Sequence, residues 1–350
     1  MSTDLPADIP AASRSKSDRI FAGVKRAFLS GGILPLLILL VLSGLFFGLQ
    51  EPRFLSLPNV LNILRQSTYL IIVSMGQMIV LLTAGLDLSV GSIIALVSVV
   101  SAIVMVEVLG ASPDAVGLAM AAGIGAGLAV GVGVGVINGI GVALLRVPPF
   151  MMTLGMLSIA FGAALTLSSG SPIFGVPETY SLIFGYGRLF SIPAPVYFTA
   201  GLFVIVYFVL NWTPAGRYFY ALGSNRRAAR LSGIKTTRYL LYAYIGSGVL
   251  AAIAGLLLTA RTASGEATIG QDLVLQSVAA CVIGGVSLFG GIGRVGNVLL
   301  GAFFISLLTN GMNLIQIESY VQQIVVGVVL ILAIVVDQLR LRYGGHARLD

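Results

Sequence analysis

The segment AVGLAMAAGIGAGLAVGVGVGVINGIGV, residues 115–142, runs for 28 residues without a charged side chain, and Asn138 is its only strongly polar one. As a helix it would be about 42 Å long, more than the ~30 Å hydrocarbon core of a bilayer. A helix apolar on all sides belongs inside a large core or inside lipid. Five of its glycines, Gly123, Gly127, Gly131, Gly135 and Gly139, recur every four residues. At 100° per residue each step advances about 40°, so they form one slanted ridge on which another helix backbone can lie close. Tight packing and a gliding surface for a conformational change are both open readings of that ridge.

Outward from this segment the chain keeps the same character. Of 350 residues, 33 are charged (9%), against about 25% in soluble domains, while apolar residues make up 57% before 44 glycines are added. Too little polar surface remains to cover a globule in water. A single cysteine, Cys281, excludes a disulfide framework, and with a single histidine, His346, it excludes a zinc cluster. The net charge of +7 does not point to nucleic acid, because the basic residues sit in short gaps between apolar runs.

Ten apolar runs are long enough to be spanning candidates: 31–50, 66–84, 89–109, 115–142, 150–168, 196–212, 239–260, 273–289, 297–317 and 321–338. The eighth is short and glycine-tipped, which fits a broken or re-entrant piece as well as a full span. Some 30 polar residues precede the first run, so it reads as an anchor and not as a cleavable signal. With ten spans and the N-terminus inside, 16 basic residues fall in cytoplasmic segments and four, Arg53, Arg65, Arg188 and Arg261, fall elsewhere. The expected fold is therefore all-α and polytopic, with both termini cytoplasmic. It comprises a basic tail over 1–30, a membrane domain over 31–338 with a cytoplasmic loop at 213–238, and a basic tail over 339–350. Runs two to five and seven to ten are candidates for inverted repeats. The outer segment 169–195 reads as a loop with a short surface helix around Tyr180 to Phe184.

Two motifs carry less than they suggest. Gly291-Ile-Gly-Arg-Val-Gly296 fits a dinucleotide fingerprint, which has meaning only between a strand and a helix, and here it joins two membrane runs. The three lysines follow Ser15, Val24 and Ile234, so no Walker A loop exists, and any ATP must be bound by another subunit. The chain itself calls for no cofactor and no metal. In the loop at 213–238, Ser224 or Asn225 can cap a helix over Arg226 to Leu231, and Gly233 suits a left-handed stop. Such a helix lying flat on the cytoplasmic side is either an ordinary basic topology signal or the handle on which a cytoplasmic partner pushes.

Asn225-Arg226-Arg227-Ala228-Ala229-Arg230-Leu231-Ser232-Gly233-Ile234 resembles the coupling-helix segment of bacterial ABC-importer permeases of the ribose/xylose type, which are grouped with branched-chain amino acid permeases. Further matches follow in family order: Thr83 to Ser92 (TAGLDLSVGS), Pro148 to Gly155 (PPFMMTLG), Ile283 to Gly291 (IGGVSLFGG) and Asn310 to Leu314 (NGMNL), so the resemblance spans about 60 to 338. It implies a non-enzymatic permease of the bacterial inner membrane. Such a permease works with a second permease copy or homologue, two cytoplasmic ATPase subunits that bind the ATP, and a periplasmic sugar-binding protein. Its cargo would be a monosaccharide or polyol. The coupling residues would be Asn225, Arg226, Arg227, Ala228, Ala229, Arg230 and Gly233. Where many relatives carry an acid, this chain has Arg227, and Asp272 to Gln276 (DLVLQ) stands where relatives tend to carry Gly-Tyr-Glu-Leu-Asp.

Asp87 lies at the junction of the second and third runs, where an ionisable group is costly and often functional; it can help cap the third helix or serve a gate or pathway. Asn138, Thr153, Asn310, Asn313 and Gln316 are polar groups on otherwise apolar runs, able to bond between helices or to line a path for hydroxyl-rich cargo. An ion-coupled secondary transporter or channel is the competing class. It usually shows carboxylates or arginines at mid-membrane depth, and the runs hold few. An integral membrane enzyme would need clustered His, Cys or carboxylate groups, which are not visible.

Overall fold

A computed structural model describes residues 33–344 of the protein. The expected tail over 1–30 lies outside the described residues, as do residues 345–350 of the expected C-terminal tail. Among the described residues twelve α-helices of six or more residues organise the fold: α1 (Leu34–Gln50), α2 (Leu57–Leu82), α3 (Val90–Ala111), α4 (Val116–Ala143), α5 (Pro149–Ser168), α6 (Ala194–Trp212), α7 (Pro214–Ser224), α8 (Arg226–Leu231), α9 (Thr236–Thr262), α10 (Leu273–Ile283), α11 (Val295–Leu314) and α12 (Ser319–Gly344). Each of the ten apolar runs carries a helix. Eight of these helices are long and apolar enough to cross a membrane, and α1 and α10 are shorter apolar helices.

Prolines at the first turns of α1, α2, α5 and α6 suit positions whose amide hydrogens have no partner within the helix. Helix α2 begins nine residues ahead of the expected run, at Leu57, and its first turns carry Asn59, Asn62 and Arg65. The eighth run is not a full span. Helix α10 stops at Ile283, and residues 284–294 form an irregular turn in which Gly285, Gly290 and Gly291 all take positive φ. The element directly before Gly291 is helix α10 and not a strand, so the context that a dinucleotide fingerprint requires is missing.

The centre of the bundle is made by α2, α3, α9 and α11, and α4 packs along α9 and α3. The five-glycine ridge of α4 is the seam of that packing. A Cβ added at Gly131 would stand 2.5 Å from the carbonyl oxygen of Gly248, and one at Gly135 would stand 2.7 Å from that of Tyr244. Backbones this close leave no room for a methyl group. The opposite glycines of α4, Gly117, Gly125 and Gly133, meet nothing within 4 Å. Exposed apolar side chains such as Leu45 and Phe46 on α1, Ile159 on α5, Val204 on α6 and Ile324 on α12 form the outer surface, as expected for helices solvated by lipid.

The expected short helix of segment 169–195 is present, with Leu182, Ile183 and Tyr186 exposed on one side and Tyr180, Ser181 and Gly185 buried on the other. A turn at Glu178–Tyr180 continues as a π-helix over Ser181–Tyr186 that packs on α9. Tyr180 is buried and donates its hydroxyl to the Leu256 carbonyl at 2.6 Å. A two-residue antiparallel pair, β1 (Arg188–Leu189) with β2 (Ile192–Pro193), closes the segment before α6.

Candidate functional site

The expected helix in the 213–238 loop is present with the expected ends, and the loop around it is also largely helical. Asn225 is extended (φ −160°), and its Oδ1 accepts the Ala228 amide at 2.9 Å, which fixes the first turn of α8. Ser224, the other candidate cap, instead ends α7 and donates its hydroxyl to the Tyr220 carbonyl. Gly233 takes φ +82° and donates its amide to the Arg230 carbonyl at 3.0 Å, stopping the helix. Within α8 only Ala229 is buried, seated with Ala143, Leu222 and Leu240, so one methyl anchors the helix. Arg226, Arg227, Ala228 and Arg230 all face solvent, and so does Leu231, 83% exposed. Partial burial, with Arg230 and Arg146 nearby, draws Arg226 below the usual arginine range, and the guanidinium remains cationic at neutral pH. A cluster of like charges around one protruding leucine is a surface that asks for an acidic partner with an apolar socket. Sequence reasoning missed Leu231 because an apolar residue at a helix end reads as packing.

Helix α7 connects this surface to the interior. Tyr220 donates its hydroxyl to the Gly293 carbonyl at 2.9 Å. Gly223 lies against the Leu82 carbonyl and the Gly291 amide, which themselves bond at 3.0 Å. Any side chain at Gly223 would strike backbone on both sides. The end of α2, the turn after α10 and α7 therefore meet at one point, immediately before the linker that carries Asp87.

Three of the six residues singled out for the pathway gather around that linker. Asp87 is buried; its Oδ1 accepts the Ser89 amide at 3.0 Å and the Ser89 hydroxyl at 2.6 Å, and its Oδ2 accepts the Ser247 hydroxyl of α9 at 2.8 Å. Asn138 of α4 donates its amide to Ser89 Oγ at 2.8 Å, and the Thr153 hydroxyl of α5 is shared between the Pro149 carbonyl of its own helix at 3.0 Å and the Leu86 carbonyl of the linker at 3.2 Å. The network thus ties α4, α5 and α9 to the linker between α2 and α3. Ser89 is the N-cap residue of α3 and makes no side-chain cap bond of its own, so Asp87 acts on the start of that helix through its neighbour Ser89. No cation accompanies the carboxylate, and among the described residues the one ion pair, Arg53 with Glu51, lies elsewhere. Ser247, 160 residues away, was not recognisable in advance.

The other three lie apart. Asn310 of α11 accepts the side-chain amide of Asn59 on α2 at 3.0 Å, and Asn313 accepts that of Gln322 on α12 at 2.7 Å. Gln316 is not on a helix: it is exposed, with φ +61°, in the turn between α11 and α12. The six residues therefore do not form one lining.

Comparison with known proteins places this geometry. Residues 59–334 match the family described as branched-chain amino acid transport system / permease component. The ribose import permease protein RbsC of Escherichia coli strain K12 is 39% identical over 86% of this chain and 92% of its own length. The D-allose transport system permease protein AlsC of the same strain is 35% identical over 86% and 90%. The fructose import permease protein FrcC of Rhizobium meliloti is 37% identical over 86% and 84%. No solved structure matches at a significant level. A multi-pass apolar bundle that matches over most of its length settles the family: the chain belongs to the branched-chain amino acid transport system permease family, and it is an integral membrane permease.

Proposed function

We propose that the chain is the membrane-spanning subunit of an ATP-binding-cassette importer that carries a monosaccharide or related polyol across the bacterial inner membrane. Two cytoplasmic ATPase subunits, a second permease copy or homologue and a periplasmic sugar-binding protein complete the assembly. The relatives are import or transport permeases named for ribose, allose and fructose, which supports the cargo class. The observation that carries the coupling is α8: a capped, singly anchored helix with three arginines and an exposed leucine turned outward. No group in it suggests bond-making chemistry, and the ATP would be bound by the partners.

Force applied to α8 would pass through α7 to the close contact of Gly223, Leu82 and Gly291, and from there to the Asp87 linker between the helices. A carboxylate shared by hydroxyls of two segments can exchange those partners at small net energy, as a gate requires. Alternating access would follow from one helix group tilting on the other along such a seam. Buried Asp87 is the one feature that favours an ion-coupled carrier. Its bonds, however, all come from neutral donors within the protein, which fits a latch better than an ion relay.

The test is a charge reversal at α8. In proteoliposomes holding the assembled transporter, Arg230→Glu or Gly233→Pro should leave the permease inserted while abolishing substrate-stimulated ATP hydrolysis. Unchanged stimulation would reduce α8 to a topology signal.

A further inference from the structure

A polar cavity opens in the half of the bundle away from α8. It is about 370 Å³ and is bounded by Gln66 and Tyr69 of α2, Arg261 of α9, Gln276 of α10, and Thr309 and Asn313 of α11. It runs past the first turn of α10 into a second cavity of about 450 Å³, with which it shares Gln276, Thr309 and Asn313. Both volumes fall within the roughly 300–1,000 Å³ of small-molecule sites. Amides without partners would be expensive facing lipid, and the exposed faces of α1, α5 and α6 carry aliphatic and aromatic side chains instead. This face therefore meets water or cargo.

The polar groups here are not consumed by the fold. The side chains of Gln66 and Gln276 make no hydrogen bond among the described residues, and the Asn313 amide nitrogen donates none. Tyr69 is only 2% exposed, yet its hydroxyl has no hydrogen-bond partner. Its ring lies under the Arg261 guanidinium, at 5.5 Å, which holds the arginine at the wall. Helix α10, which supplies Gln276, is a discontinuous element of 11 residues, the kind of piece around which transporters build midplane sites.

We infer that this outer vestibule is a transient binding site for a neutral polyhydroxylated solute of monosaccharide size, with Gln66, Gln276 and Asn313 as its selecting groups. Amides donate and accept at once, as an sp³ hydroxyl does, so they can follow a sugar's hydroxyls in either sense. One guanidinium and one carboxylate, Asp272 at the rim, leave the wall without net charge, which favours a neutral cargo. The inference rests on the sugar-import reading above and adds where in this chain the sugar is held.

The test uses a reporter thiol in the full transporter, with ATPase and binding protein present. Cys281 is the sole cysteine and is fully buried, so Thr309→Cys adds the one accessible thiol. Thr268→Cys, an exposed position that also lines the cavity and is not one of the selecting groups, is a second reporter should the first not assemble. Reaction with a hydrophilic methanethiosulfonate should slow several-fold in excess D-ribose, D-allose or D-fructose, and Gln276→Leu on the same background should raise the half-protecting sugar concentration about tenfold. Labelling unaffected by a sugar that the same transporter takes up would overturn the site and leave the import reading intact. If the transporter takes up L-leucine and none of the sugars, both fail together. Protection by L-leucine but not by a transported sugar would also overturn the assignment.

Discussion

Two single-methyl substitutions, two residues apart on α4, should move stability in opposite directions. Gly135→Ala places its Cβ 2.7 Å from the Tyr244 carbonyl oxygen and 2.9 Å from the Ile245 Cα, both backbone atoms of α9. That is roughly 0.7 Å short of ordinary contact, and backbone cannot rotate aside as a side chain can. Overpacking of this kind costs about 1–3 kcal/mol. The substitution also gains about 0.5–1 kcal/mol from replacing glycine inside a helix, so the net loss is about 0–2.5 kcal/mol, centred near 1. Gly133→Ala meets nothing within 4 Å and keeps only the gain. Thermal unfolding of the purified permease in detergent, followed by circular dichroism, should place the midpoint of Gly135→Ala below that of the wild type and that of Gly133→Ala at or above it. Equal midpoints, or the reverse order, would refute the claim that the glycine ridge is a backbone-to-backbone seam.

A reporter active only in the cytoplasm should give signal when fused beyond Asp337 and none when fused after Arg188; the opposite pattern would invert the topology drawn from the basic residues. Asp87→Ala should destabilise the permease by about 2–4 kcal/mol, because it strands the buried hydroxyls of Ser89 and Ser247. Asp87→Asn keeps one oxygen for Ser89 and offers a donor to a rotatable Ser247 hydroxyl, so it should fold nearly normally while lowering the transport rate; equal thermal midpoints for the two variants would argue against the latch.

The parts of this architecture that were legible in the sequence are those written in local chemistry. Apolar runs located the membrane helices, and a four-residue glycine period located the α4 seam without naming α9 as its partner. Asn225 and Gly233 marked both ends of α8, since capping needs particular side chains at particular positions. What depends on distant packing was not legible. Asn59, Asn62 and Arg65 hid the first turns of α2, because their polarity masks a helix in which Asn59 bonds to Asn310 of α11 and Arg65 bonds to Asn62 along the helix itself. The burial of Tyr180 depends on a carbonyl 76 residues on, and Asp87 meets Ser247 only through the fold. Likewise Asn138 and Thr153 were picked as isolated polar groups, and the structure unites them with Asp87 while leaving Asn310, Asn313 and Gln316 elsewhere. The vestibule residues Gln66, Tyr69 and Gln276 are scattered over more than 200 positions, so no local spacing announces them.

The energy source is the most direct test of the central claim. Labelled D-ribose, D-allose and D-fructose would be offered to proteoliposomes containing the permease alone, or the permease with its ATPase subunits and binding protein, under an imposed proton or sodium gradient or with ATP on the coupling-helix side. The account predicts accumulation of at least one sugar only with the complete assembly and hydrolysable ATP, and none from either gradient. Gradient-driven accumulation by the permease alone would contradict it and make the chain an ion-coupled carrier.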